Sequence, residues 1–88
     1  MRSRITDGIV RILTRDAQTA GTGFVVSDDG LIVTCAHIVS EAGAKPGDTV
    51  DFIFHTLKER AIATVEPAYW SDPTTEDVAI LRMQGPLP

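Results

Sequence analysis

Turn-forming residues interrupt this chain so often that no long helix fits between them. Seven glycines and five prolines are spread over 88 residues. Between them lie six short segments rich in β-formers. These are "GIVRILT" (8–14), "GTGFVVS" (21–27), "LIVT" (31–34), "TVDFIF" (49–54), "KERAIATVE" (58–66) and "DVAILRM" (77–83). In 49–54 the alternation puts Val50, Phe52 and Phe54 on one face and Asp51, Ile53 and His55 on the other. Asp28-Asp29-Gly30 predicts a hairpin turn, because glycine supplies the positive φ that such turns need. "AHIVSEAGA" (36–44) allows one short helical turn, stopped by Gly43 and by Pro46-Gly47. The expected fold is all-β, a six-stranded antiparallel Greek-key barrel. Closing the sheet on itself removes exposed edges from a set of short strands. Gly85, Pro86 and Pro88 stop the last strand.

A chain of this length is expected to be a single small domain, 1–88, or a piece of a larger one. Its hydrophobic content of 43% is enough for a core. Eight basic and twelve acidic residues give a net charge of −4, which disfavours a nucleic-acid partner. Arg2, Arg4, Arg11 and Arg15 gather near the start, interrupted by Asp7 and Asp16, and are expected as solvated charges on a first strand. The longest apolar run, "VAIL", is far short of the ~20 residues a membrane-spanning helix needs, so no membrane partner is expected. Cys35 is the single cysteine, so no internal disulfide can form. The first residues, "MRSRITDGIVRIL", hold no apolar leader core. Both features lead to the expectation of a cytoplasmic location.

His37 ends the run "LIVTCAH" among small or apolar neighbours, which are expected to desolvate it. Burial disfavours a charged imidazole and keeps it in the neutral form a general base needs. Residue type alone favours a structural histidine over a catalytic one. A catalytic imidazole needs an acid to hold its tautomer and a nucleophile to deprotonate. Asp77 stands immediately before an apolar strand that carries its backbone toward the core, a place that suits a strand-opening residue or an orienting carboxylate. Glu76 is expected to point to solvent, and Asp72, in "SDP", to form a turn.

"GTGFVVSDDGLIVTCAHIV" and "DVAIL" together resemble two segments of the chymotrypsin-like serine proteases, above all the bacterial HtrA-type and related trypsin-like peptidases. In that family a Gly-Ser/Thr-Gly-Phe strand, a glycine-containing turn and a strand end such as Val-Thr-Ala-Ala-His deliver the general base. Residues 34–37, "TCAH", match the last of these, and residues 77–81 resemble the segment carrying the catalytic aspartate. The resemblance implies His37 as general base, Asp77 as its orienting carboxylate, a peptide or protein substrate, and no metal or organic cofactor. Secreted animal trypsins usually bridge a cysteine just after the histidine. Ile38 stands there instead, which points to an intracellular or disulfide-free bacterial branch.

The family's nucleophile lies in a Gly-Asp/Asn-Ser-Gly-Gly segment of a second barrel. Ser3, Ser27, Ser40 and Ser71 stand in no such setting. The resemblance therefore implies the N-terminal half of a double barrel, truncated and inactive by itself, whose partner is the missing second barrel or, in the isolated chain, another copy. The alternative from another class is a non-catalytic protease-like module that binds a protein. Cys35 is expected as a buried, inert packing residue, and Cys35, His37, Glu41 and His55 show no recognised metal spacing. Tyr69 and Trp70 are expected to anchor a loop on the barrel.

Overall fold

The computed structural model describes residues 8–55, 58–71 and 74–85. Its strands are β1 (Ile9–Leu13), β2 (Thr19–Val25), β3 (Leu31–Thr34), β4 (Thr49–Phe54), β5 (Arg60–Val65) and β6 (Ala79–Met83). A short helix, α1 (Ala36–Glu41), links β3 to β4, and a 3₁₀ turn at Pro67–Tyr69 follows β5. The strands close into a barrel in the order β1-β2-β3-β6-β5-β4, with every pairing antiparallel. β1 bonds to both β2 and β4, so neither flank of the sheet is left as an open edge. The expected barrel is thus present.

Alternation decides which side chains fill it. Val50, Phe52 and Phe54 of β4 are buried, while Thr49, Asp51 and Ile53 reach the surface to differing degrees. His55, just beyond β4, is exposed. Val10, Ile12, Ile32, Phe52, Val65 and Leu81 are among the fully buried side chains of the core. The Phe52 and Phe54 rings meet edge to face, with centroids 5.2 Å apart.

The β2–β3 turn forms where expected. Val26 donates to the Leu31 carbonyl at 2.8 Å, Gly30 donates to the Ser27 carbonyl at 3.2 Å, and Gly30 takes φ +86°. The Ser27 hydroxyl donates to Asp29 and accepts from the Leu31 N–H, tightening the loop. The Ser27 hydroxyl bond is the main cause that lowers the Asp29 pKa, with the Arg82 guanidinium as a smaller aid.

Helix α1 stops at Gly43 through a Schellman motif. Gly43 has φ +87° and donates to the Ser40 carbonyl, while Ala44 donates to the Val39 carbonyl. Val39 and Ala44, which bracket this turn, are both buried.

Three expectations change in detail. β2 begins at Thr19 rather than Gly21, because its pairing with β1 runs on to Leu13↔Thr19. β6 begins at Ala79 rather than Asp77, and Val78 makes only an isolated bridge with Ser71. Arg15 is not merely a solvated charge: its guanidinium donates to the Gly43 carbonyl at 2.8 Å and ties the β1–β2 hairpin to the end of α1. The expectations for Arg2, Arg4, Asp7, Asp72, Pro86 and Pro88 lie outside the described residues.

Candidate functional site

The glycines of "GTG" make room for the segment that carries His37. A Cβ on Gly21 would lie 2.3 Å from Ile38 Cδ1, and one on Gly23 would lie 2.9 Å from Ile32 Cγ2. With hydrogen at both positions, α1 and β3 settle directly on β2. Thr34, the last residue of β3, is buried and donates its hydroxyl to the Thr22 carbonyl at 2.8 Å. Cys35 then takes extended dihedrals and starts the helix, so His37 stands in its first turn.

Asp77 meets His37 from the loop before β6, the strand that pairs directly with β3. Its Oδ1 accepts the His37 backbone N–H at 2.8 Å, and its Oδ2 lies 2.6 Å from His37 Nδ1. The Asp77 carbonyl also accepts the Ala36 N–H at 3.2 Å. One residue thus holds the helix start and the imidazole together. Asp77 does so from a left-handed backbone conformation, φ +58°. Aspartate tolerates that region better than most residues, whereas a β-branched one would not.

The electrostatics fix the direction of the ring bond. The hydrogen bond from the His37 ring, helped by the His37 backbone N–H, holds the Asp77 carboxyl below its ordinary range. Asp77 is therefore a carboxylate at neutral pH, able only to accept. Nδ1 must carry the proton, and a neutral ring then presents a lone pair at Nε2.

The two sequence-derived site residues are brought together, though in less buried surroundings than the sequence suggested. The His37 side chain is 50% exposed and that of Asp77 29%. The small residues beside His37 turn inward with the helix (Ala36 and Val39 are buried) instead of covering the ring. Cys35 is exposed, contrary to the packing role expected of it. The alternation of β3 buries Ile32 and Thr34 and turns Leu31 and Val33 outward, and Cys35 falls on that outward side. Glu76 is exposed and accepts the Ser71 hydroxyl at 3.1 Å, which leaves the orienting position to Asp77. Trp70 packs against the core as an anchor, but Tyr69 is 59% exposed and does not.

Sequence reasoning set aside one member of this cluster as an inert packing residue. Cys35 offers its sulfur within 4.8 Å of donor atoms on His37 and Asp77, whereas Glu41 and His55 belong to no such group among the described residues. The i, i+2 spacing of Cys35 and His37 was the available signal.

A histidine in the first turn of a short helix, held by an aspartate beside a six-stranded barrel, is the arrangement to set against known proteins. Residues 21–88 match the family model described as a trypsin-like peptidase domain, and the chain belongs to that family. It is 35% identical over 71 residues to a probable periplasmic serine endoprotease, DegP-like, of Pseudomonas putida (strain GB-1); the match covers 81% of this chain and 13% of that protein. The MamO protease domain from Magnetospirillum magneticum has the same fold, with a TM-score of 0.63 at 24% identity; the match covers 92% of this chain and 40% of that one. The HtrA-type protease AlgW, solved with a decapeptide, also shares it, with a TM-score of 0.62 at 17% identity; the match covers 94% of this chain and 31% of that one. The chain thus spans a small part of the length of the relatives it matches.

These relatives overturn the expectation of a cytoplasmic location, because the Pseudomonas putida protein is named as periplasmic. A single thiol cannot form an internal disulfide in any compartment. Cysteine usage therefore never discriminated between a reducing and an oxidising one.

Proposed function

We propose that residues 1–88 are the first barrel of a Ser-His-Asp endopeptidase, with His37 as general base and Asp77 as its orienting carboxylate. The observation that supports this most is the double grip of Asp77 on the backbone and ring of His37. In this reading a serine from a second barrel, outside these 88 residues, attacks the carbonyl carbon of a peptide. His37 Nε2 takes the hydroxyl proton as the C–O bond forms, then gives it to the leaving amine as the C–N bond breaks. Asp77 stays ionised and stabilises the imidazolium. The resulting acyl-enzyme is hydrolysed by water, with the same nitrogen moving the proton.

The nucleophile and the donors for the developing oxyanion come from the second barrel. Of the described serines Ser27, Ser40 and Ser71, the hydroxyls of Ser27 and Ser71 are engaged with Asp29 and Glu76. In this reading the 88-residue chain is inactive alone, and its partner is the second barrel, or another copy when that barrel is missing. The substrate is a peptide or protein segment in the cleft between barrels. The name of the Pseudomonas putida relative supports a periplasmic setting.

The test joins two observations. The reading frame after Pro88 is expected to encode a Gly-x-Ser-Gly-Gly segment. The chain extended through that segment should be labelled by a fluorophosphonate probe, and H37A should abolish the labelling. Residues 1–88 alone should remain unlabelled. A stop codon at that point would instead favour a protein-binding module. Stoichiometric labelling of a serine within residues 1–88 would overturn the reading.

A further inference from the structure

We propose that Cys35, His37 and Asp77 form a binding site for a thiophilic divalent cation of the zinc class. The three residues come from two separated segments, the β3–α1 junction and the loop before β6. Their donor atoms, a thiol sulfur, a ring nitrogen and a carboxylate oxygen, all lie within 4.8 Å of one another. Around a tetrahedral zinc ion, with bonds of about 2.0–2.3 Å, ligand atoms stand roughly 3.3–3.6 Å apart. The cluster therefore needs side-chain adjustments of about 1 Å. Cys35 and His37 are exposed and Asp77 is partly so, which leaves the side chains room to adjust, and the 2.6 Å His37–Asp77 bond opens to admit the ion in place of its proton.

The charges match as well. A thiolate, a neutral imidazole and a carboxylate carry two negative charges, which one divalent cation cancels. On binding, the Cys35 S–H bond breaks and its proton goes to solvent, the ring proton of His37 leaves Nδ1 while Nε2 takes one from water, and the freed electron pairs of sulfur and Nδ1 form the metal bonds. Water completes the coordination. A soft sulfur with a borderline nitrogen selects Zn²⁺, Co²⁺ or Cd²⁺ over Mg²⁺ and Ca²⁺, which prefer all-oxygen shells. The site explains why Cys35, an exposed thiol with no packing role, faces the imidazole. Its consequence rests on the peptidase reading: a metal on the ring ties up the imidazole needed for proton transfer, so the bound form is blocked. The binding itself does not depend on that reading.

The test titrates the reduced 88-residue chain with Co²⁺ and follows absorption. One equivalent should produce a thiolate-to-cobalt charge-transfer band with the intense visible bands of tetrahedral cobalt. Zn²⁺ should bleach both, and a large excess of Mg²⁺ should leave them unchanged. C35S should lose the charge-transfer band, H37A and D77N should weaken binding at least tenfold, and H55A should bind normally. Circular dichroism checks that each variant is folded, and alkylating Cys35 in the native sequence gives a second route to the same loss. Absence of saturable Co²⁺ binding would overturn the proposal, as would binding that persists unchanged in C35S or after alkylation. Neither result bears on fluorophosphonate labelling of the extended chain, so failure here is distinct from failure of the peptidase reading.

Discussion

Ile38 fills the space that a side chain on Gly21 would occupy: a Cβ there would lie 2.3 Å from its Cδ1 and within 3 Å of its Cγ1 and Cγ2. Because Ile38 follows His37, this contact sets where the imidazole stands. Gly21→Ala must push Ile38 and the start of α1 away from β2. Overpacking of this kind costs about 1–3 kcal/mol. The variant should melt earlier and should also weaken the His37–Asp77 bond. An unchanged melting midpoint with an unchanged histidine NMR spectrum would show that the contact does not position the ring.

Gly30 makes a second test of local design. Its φ of +86° disfavours any L side chain, and a Cβ there would lie 3.0 Å from Met83 Cβ. Gly30→Val should destabilise the barrel by about 1 kcal/mol or more. Chemical denaturation reads this directly, and an unaltered midpoint would contradict the turn assignment.

Acid stability should carry a signature of Asp29. Its folded-state pKa lies below the ordinary value, chiefly through the Ser27 hydroxyl. A lowered folded pKa means stability that is present above the unfolded carboxylate range and lost as pH falls through the folded value. Ser27→Ala removes that bond, along with the uncharged bond to the Leu31 N–H. The gap in melting temperature between native and variant chains should therefore narrow on acidification without closing fully. A gap that is constant across the acid limb would rule out this charge effect.

Much of the fold was legible because it depends on side-chain period. Val50, Phe52 and Phe54 alternate in sequence and all point inward. Gly30 and Gly43 mark turns that demand positive φ, and both have it. The pairing of His37 with Asp77 was legible only through resemblance, since 40 positions separate them and no local rule links them. The exposure of Cys35 and His37 follows the same period, which buries Ile32, Thr34 and Ala36 and turns the positions between them outward, but their small and apolar neighbours suggested burial instead. Nor could the left-handed backbone of Asp77 be foreseen, because the residues around it suggest plain strand.

The central claim is that Asp77 fixes His37 as the Nδ1–H tautomer with Nε2 free. Nitrogen NMR of the imidazole rings measures this directly. In the neutral ring, His37 should show a protonated Nδ1 and an unprotonated Nε2, while the exposed His55 shows the ordinary mixture dominated by Nε2–H. Asp77→Asn is the informative variant, because asparagine also tolerates the left-handed backbone at this position. It should shift His37 toward the His55 pattern while the barrel stays folded. A His37 ring with Nε2 protonated in the native chain, or one unmoved by Asp77→Asn, would contradict the account.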